Sequence, residues 1–124
     1  MMHPTIDIKT FLKPGVRAHL AGIGGVSMCP LAEVLLGSGV TITGSDMRES
    51  ATVAHLRSLG IPVTIGHLPQ SVEGADCVIR TAAVHDSNPE IAAALAAGQV
   101  ELPSLLGEVM TVIRGTLRLY RASK

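Results

Sequence analysis

Aromatic side chains are almost missing from this sequence: its 124 residues include one Phe (Phe11), one Tyr (Tyr120) and no Trp. A core must therefore come from Val, Ile, Leu, Ala and Met. A stacking surface for single-stranded nucleic acid, which needs aromatic platforms, is not expected. An excess of one charge is missing too. Ten acidic residues balance ten basic ones, and no basic block occurs before the last dozen residues. Neither a nucleic acid nor a membrane surface is an expected partner. No apolar run reaches the length of a membrane span, and the N-terminus, with Lys9 and Lys13, has no apolar signal core. Cysteine is scarce. Cys29 and Cys77 read as buried free thiols of a reducing compartment, so a soluble cytoplasmic protein is expected.

Catalytic signatures are also absent. There is no Ser-His-Asp arrangement with a nucleophile elbow, no suggestive carboxylate pair and no G-x-x-x-x-G-K-[ST] loop. His3, His55 and His85 show no metal-ligand spacing with one another or with the cysteines. No metal is expected, and the chain reads as a binding module.

What is present is glycine, at one informative place. The apolar run Val16 to Ala21 leads into Gly22-Ile23-Gly24-Gly25-Val26-Ser27, and a helical pattern follows at once. A strand, a tight turn and a helix N-terminus in that order make an anion site. Glycine lets the backbone approach a ligand, and the helix start offers unpaired N–H groups and a positive dipole end. The run fits the dinucleotide fingerprint G-x-G-x-x-G except at its last position, Ser27. Asp46 lies about 20 residues on, where an acid can hold a ribose hydroxyl. This suits an NAD site as well as any other nucleotide-diphosphate site. The plainer reading is that the glycines only permit close strand-to-helix packing.

Along the rest of the chain, Met1 to Pro14 has little pattern and reads as an arm (1–15). Val16–Ala21 is the first expected strand. The spacing of Met28, Leu31, Ala32 and Leu35 predicts a helix over Ser27–Leu36, with Pro30 in its first turn and Gly37 and Gly39 ending it. Val40–Thr43 is a second strand, with Gly44-Ser45-Asp46 as the turn after it. Ser50 is an N-cap for a helix over Ala51–Leu59. Further strands are expected at Ile61–Ile65, Asp76–Arg80 and Val100–Leu102. A short turn is expected over Pro69–Gly74, and helices over Glu90–Ala97 (capped by Asn88) and Leu105–Ile113 (capped by Ser104). Alternating strands and helices indicate βαβ units, hence an α/β domain over 16–113 with a five-stranded, mainly parallel sheet.

Ligands of such sheets bind beyond the carboxyl ends of the strands. The loops to interrogate are Gly22–Ser27, Gly44–Arg48, Gly66-His67 and Thr81–Asn88. Ser45 and Asp46 read either as ligand contacts or as a solvated turn. His67 reads as a ligand contact or a polar loop residue. Thr81-Ala82-Ala83-Val84 is small enough to let backbone near a phosphate or sugar.

His19-Leu20-Ala21-Gly22-Ile23-Gly24-Gly25-Val26-Ser27-Met28 with Leu31-Ala32 resembles the opening motif of the Mur ligases. The agreement continues through Gly44-Ser45-Asp46, Gly66-His67, Gly74-Ala75-Asp76, Thr81-Ala82-Ala83-Val84 and Asn88-Pro89-Glu90. It is closest to the members that join L-alanine to UDP-N-acetylmuramic acid. A relative that recycles muramyl tripeptide shares the same opening architecture. The resemblance implies a three-layer Rossmann-like N-terminal domain of a peptidoglycan-precursor ligase, holding the UDP part of UDP-N-acetylmuramic acid. It implies that Gly22, Gly24, Gly25, Val26 and Ser27 take the diphosphate. Ser45 and Asp46 would lie near the uridine, and His67, Thr81, Ala82 and Ala83 would line the same cleft. It also implies ATP and magnesium as cofactors of the whole enzyme, an acyl phosphate on the muramyl carboxylate, and attack on it by the L-alanine amine.

Two departures stand out. Ser27 replaces the family's usual glycine. The family's ATP loop, of the type G-T-H-G-K-T, is absent, and within the C-terminal tail (114–124) Thr116 to Lys124 departs from the family pattern. The expectation is a domain that binds nucleotide sugar but ligates nothing alone. A NAD-binding module is the alternative of a different class. Pairing of two copies through Leu105, Leu106, Val109, Ile113, Leu117 and Leu119 is a third reading.

Overall fold

A computed structural model describes residues 14–26, 28–81, 84–96, 100–106 and 109–113. The arm up to Lys13 and the tail from Arg114 lie outside the described residues, as do Ser27, Ala82 and Ala83.

Strand β1 (Arg17–Ala21) is buried on both faces after its first residue. Successive side chains alternate between faces. Ala18 and Leu20 enter one core cluster and Ala21 the other, which puts His19 on the Ala21 face. Helix α1 (Met28–Gly37) buries Met28, Ala32 and Leu35 at helical spacing. Pro30 sits in its first turn, where its missing N–H has no helical partner to lose. Gly39, at φ +87°, lets the chain turn out of the helix.

Strand β2 (Thr41–Asp46) is longer than expected. Gly44-Ser45-Asp46 is the end of this strand, in register with β1 as far as Ala21↔Ser45 and with β3 as far as Asp46↔Ile65. Gly44 marks a crossing, not a turn. Ile23 of the glycine loop lies over it, and a Cβ there would come within 2.5 Å of Ile23 Cδ1.

Helix α2 (Ala51–Ser58) starts as expected. The Ser50 hydroxyl accepts from the Val53 N–H at 3.1 Å. Strand β3 (Val63–Ile65) is short and is followed by a single 3-10 turn, Pro69–Val72. Strand β4 (Cys77–Thr81) leads to helix α3 (Pro89–Ala96). The Asn88 carboxamide oxygen accepts from the Glu90 N–H at 2.8 Å, so Asn88 caps α3.

The helix expected over Leu105–Ile113 is not found. Strands β5 (Val100–Leu106) and β6 (Val109–Ile113) form an antiparallel pair instead. Val109, Thr111, Val112 and Ile113 are β-branched, and such residues prefer the extended chain. Gly107, between the two in sequence, also disfavours one continuous helix.

The sheet order is β3-β2-β1-β4-β6-β5. Strands β1 to β4 are parallel, while β6 joins β4 antiparallel. The α/β, mainly parallel Rossmann-like expectation holds for β1–β4; the sheet has six strands, not five. Helices α1 and α2 cover one face through Met28, Ala32, Leu35, Val53 and Leu56 against Leu20, Ile42 and Ile79. Helix α3 covers the other with Ile91 and Ala94 against Ala21, Val72 and Val78. These make three layers. Among the described residues no helix is long and apolar enough to cross a membrane.

Candidate functional site

The loops after β1 to β4 all leave one edge of the sheet because those strands are parallel. The chain runs outward from β1 to β3 and then returns to β4 on the other side of β1. The direction therefore reverses between β1 and β4, and a crevice opens at such a point. Gly22–Val26, after β1, and Thr81, at the end of β4, stand on either side of that point. A cavity of about 60 Å³ lined by Arg17, Thr41 and Ser71 lies at the amino ends of the strands instead. It is far below the ~300 Å³ of a typical ligand pocket.

The glycine loop is held by β2. Gly22 takes φ +77°, a conformation that favours glycine. The Gly22 and Ile23 N–H groups donate to the Ser45 carbonyl at 2.8 and 3.0 Å, and Gly25 N–H donates to the Gly22 carbonyl at 3.0 Å. Gly24 N–H donates to Asp46 Oδ2 at 2.8 Å. A Cβ on Gly24 would lie 2.7 Å from that oxygen, so the contact depends on glycine. The amides of Gly22 to Gly25 are thus already used within the protein. Among the described residues, no hydrogen bond uses the N–H of Val26 or Met28. Both stand at the start of α1, where donors are unpaired and the dipole is positive. Among the described residues, the N–H groups left without a protein partner therefore belong to the last part of the motif. The Val26 side chain is 95% exposed.

Asp46 also accepts from Met47 N–H through Oδ1 at 2.8 Å. Each carboxylate oxygen has a second acceptor site, so Asp46 can hold the loop and still accept a hydroxyl. Past β3, Gly66 takes φ +101° and its N–H donates to the Asp46 carbonyl at 2.8 Å, which brings His67 back toward β2. After β4 the buried Arg80 guanidinium contacts Asp86 Oδ1 at 2.6 Å and donates to the Val84 carbonyl at 3.1 Å. Those contacts tie the β4 loop to its strand.

Beneath these loops lies a polar cluster on the α3 face. His19, Thr43 and Ser45 share that face by strand alternation, and β1–β2 register sets His19 opposite Thr43. Helix α3 brings Glu90 onto them. Glu90 is 0% exposed. Its Oε1 accepts from the Ser45 hydroxyl at 2.7 Å and from His19 Nε2 at 3.0 Å, and lies 3.3 Å from His67 Nδ1. Its Oε2 lies 3.4 Å from the Leu68 N–H. His19 Nδ1 and Thr43 Oγ1 are 2.8 Å apart. Burial alone would raise the Glu90 pKa. The hydrogen bond and charge of His19, with hydrogen bonds from Ser45 and His67, outweigh it and hold the carboxyl below the usual glutamate range.

Both cysteines are free. Burial, then the charge of Asp76, pushes the Cys77 thiol up to about 12. Cys29 is only half-buried, and burial and Glu33 raise its pKa. Neither is a poised nucleophile. Among the described residues no group of three or more His, Cys, Asp or Glu side chains could hold a metal ion.

Residues 17–113 match the model of the Mur ligase family, catalytic domain. The chain belongs to the Mur ligase family. It is similar to UDP-N-acetylmuramate--L-alanine ligase of Legionella pneumophila, 47% identical over 111 residues, covering 85% of this chain and 24% of that protein. The ligase of the same name from Bordetella petrii is 46% identical over 99 residues, 78% of this chain and 21% of that protein. That from Persephonella marina is 45% identical over 94 residues, 74% of this chain and 20% of that protein. The Mur ligase domain described here thus spans about a quarter or less of the length of these relatives.

Of the residues expected at the site, Gly22, Gly24, Gly25, Val26, Ser45, Asp46 and His67 fall on three neighbouring loops and strand ends of this Mur ligase domain. Thr81 ends β4, at the crevice. Ser27, Ala82 and Ala83 lie outside the described residues, as do Leu117 and Leu119. Sequence reasoning missed the buried cluster of His19, Thr43 and Glu90. A signal was present: polar residues at positions 19, 43 and 45 interrupt apolar strands on one face, and Glu90 is the one acid in an otherwise apolar helix.

Proposed function

We propose that this domain holds the UDP part of UDP-N-acetylmuramic acid for a ligase that adds L-alanine to it in peptidoglycan synthesis. The shared printed name of relatives at 45–47% identity supports this substrate. The observation that carries the reading is the division of labour in the glycine loop. Gly24 is clamped by Asp46 at 2.8 Å, and the Val26 and Met28 N–H groups, unused among the described residues, support an anion site at the start of α1. In this reading the diphosphate binds there, with Ser45 and Asp46 at the end of β2 and His67 after β3 for the nucleoside.

ATP and magnesium belong to the whole enzyme in this reading. The residues present do not fit them: the sequence has no G-x-x-x-x-G-K-[ST] loop, and the described residues offer no metal cluster. No ligation step is therefore assigned to this chain; its part is to anchor the substrate while its carboxylate reacts elsewhere.

Replacing Asp46 tests the nucleoside side. Hydrogen bonds to a charged group contribute about 1.5–3 kcal/mol, so Asp46→Ala should weaken UDP binding by about tenfold or more in calorimetric titration. An unchanged affinity would leave Asp46 with only its structural role of holding Gly24 at the end of β2.

A further inference from the structure

The buried cluster determines more than stability. Ser45 Oγ lies 2.7 Å from Glu90 Oε1 and 3.0 Å from His67 Nδ1. An ionised carboxylate only accepts, so the single Ser45 hydrogen must point at Glu90. Pointing it at His67 would leave two oxygens facing each other at 2.7 Å with no proton between them. Ser45 Oγ must then accept from His67, and Nδ1 must carry the hydrogen. The same N–H lies 3.3 Å from Glu90 Oε1, so both neighbours of Nδ1 require a donor there. His19 cannot relieve this demand, because its Nε2 donates to the same Glu90 oxygen at 3.0 Å. His67 Nε2 has no partner among the described residues and is not a buried orphan, so it is open to water.

We propose that Glu90 is a positioning residue that, through Ser45, locks His67 as its Nδ1–H tautomer and so presents Nε2 to the cleft as a hydrogen-bond acceptor. The consequence is a statement about ligand chemistry. A neutral Nε2 acceptor recognises a ligand N–H or O–H, such as an imide N–H or a sugar hydroxyl. It does not attract a phosphate oxygen. His67 thereby selects for the nucleoside or sugar part of a ligand, while the diphosphate is left to the start of α1. This ligand assignment rests on the nucleotide-sugar reading above; the tautomer does not.

The test is nitrogen-15 NMR of the histidine rings of the whole chain at about pH 8, above the usual histidine range. In the free protein His67 should show a protonated Nδ1 and an unprotonated Nε2. A protonated Nε2 would overturn the proposal. On addition of UDP, the Nε2 resonance should move while the proton stays on Nδ1. Transfer of the proton to Nε2 in the complex would overturn it equally. In Glu90→Gln, whose carboxamide no longer demands a donor from both neighbours, the Nε2–H form of His67 should gain population. Should that variant not fold, the wild-type spectrum alone decides. If calorimetry finds no UDP binding but His67 is the Nδ1–H form, the nucleotide reading fails and the locked tautomer stands. If UDP binds and His67 is the Nε2–H form, the reverse holds.

Discussion

Glu90 lies wholly out of water, yet its carboxyl stays below the usual glutamate range because His19, Ser45 and His67 surround it. A lowered native pKa means that the ionised form binds its surroundings better folded than unfolded. Its stabilisation is therefore complete above the usual glutamate value of 4.5 and fades as pH falls through the lower native value. Glu90→Gln removes the charge but keeps the shape, leaving buried donors poorly paired, at a cost of about 1–3 kcal/mol. In urea unfolding, the gap between wild type and variant should be widest near neutrality and narrow below about pH 4.5. A gap that does not change with pH would contradict the ionised, partnered carboxylate. The sequence hints at polar positions on one face but does not show that they meet Glu90. The sequence marks Glu90 as a first-turn acid beside its cap, and that position is usually solvated. Only the register of β1 with β2 and the placement of α3 show that it meets His19 and Ser45. Asn88 and Ser50 are legible, because a cap is a local interaction spanning two or three residues.

At the scale of elements, short-range signals locate every parallel strand and the three helices to within a few residues. They fail in two places where the partner is distant. Gly44 reads as a turn, but it lies inside β2 because Ile23 crosses it. Leu105 to Ile113 reads as a helix behind a Ser104 cap, but β5 and β6 pair there instead. The first case yields a test. Gly44→Ala would place a Cβ 2.5–2.8 Å from three atoms of Ile23. Overpacking of this kind costs about 1–3 kcal/mol, and it should also displace the glycine loop from the Ser45 carbonyl. Thermal unfolding should show a midpoint lower by about 4 °C or more. A midpoint unchanged from wild type would mean that Ile23 does not pack over β2.

For the whole molecule, parallel strands send their following loops to one edge, and the reversal between β1 and β4 is the kind of point at which such sheets take ligands. The α1 and α2 face is an apolar core that carries the glycine loop, while the α3 face is partly polar and carries His67 and Ser45. A nucleotide sugar suits such a division, with its anion at one helix start and its neutral donors over the polar layer. The glycine motif alone suits NAD equally well, and it is the linked motifs through Glu90 that separate the two. The direct measurement is thermal unfolding of the whole chain with UDP-N-acetylmuramic acid, UDP or NADH. Binding to the native state stabilises by mass action, about 2.7 kcal/mol at a hundredfold excess over Kd. UDP-N-acetylmuramic acid and UDP should raise the midpoint increasingly with concentration, and NADH should leave it unmoved. A midpoint raised by NADH and indifferent to both uridine compounds would contradict the account.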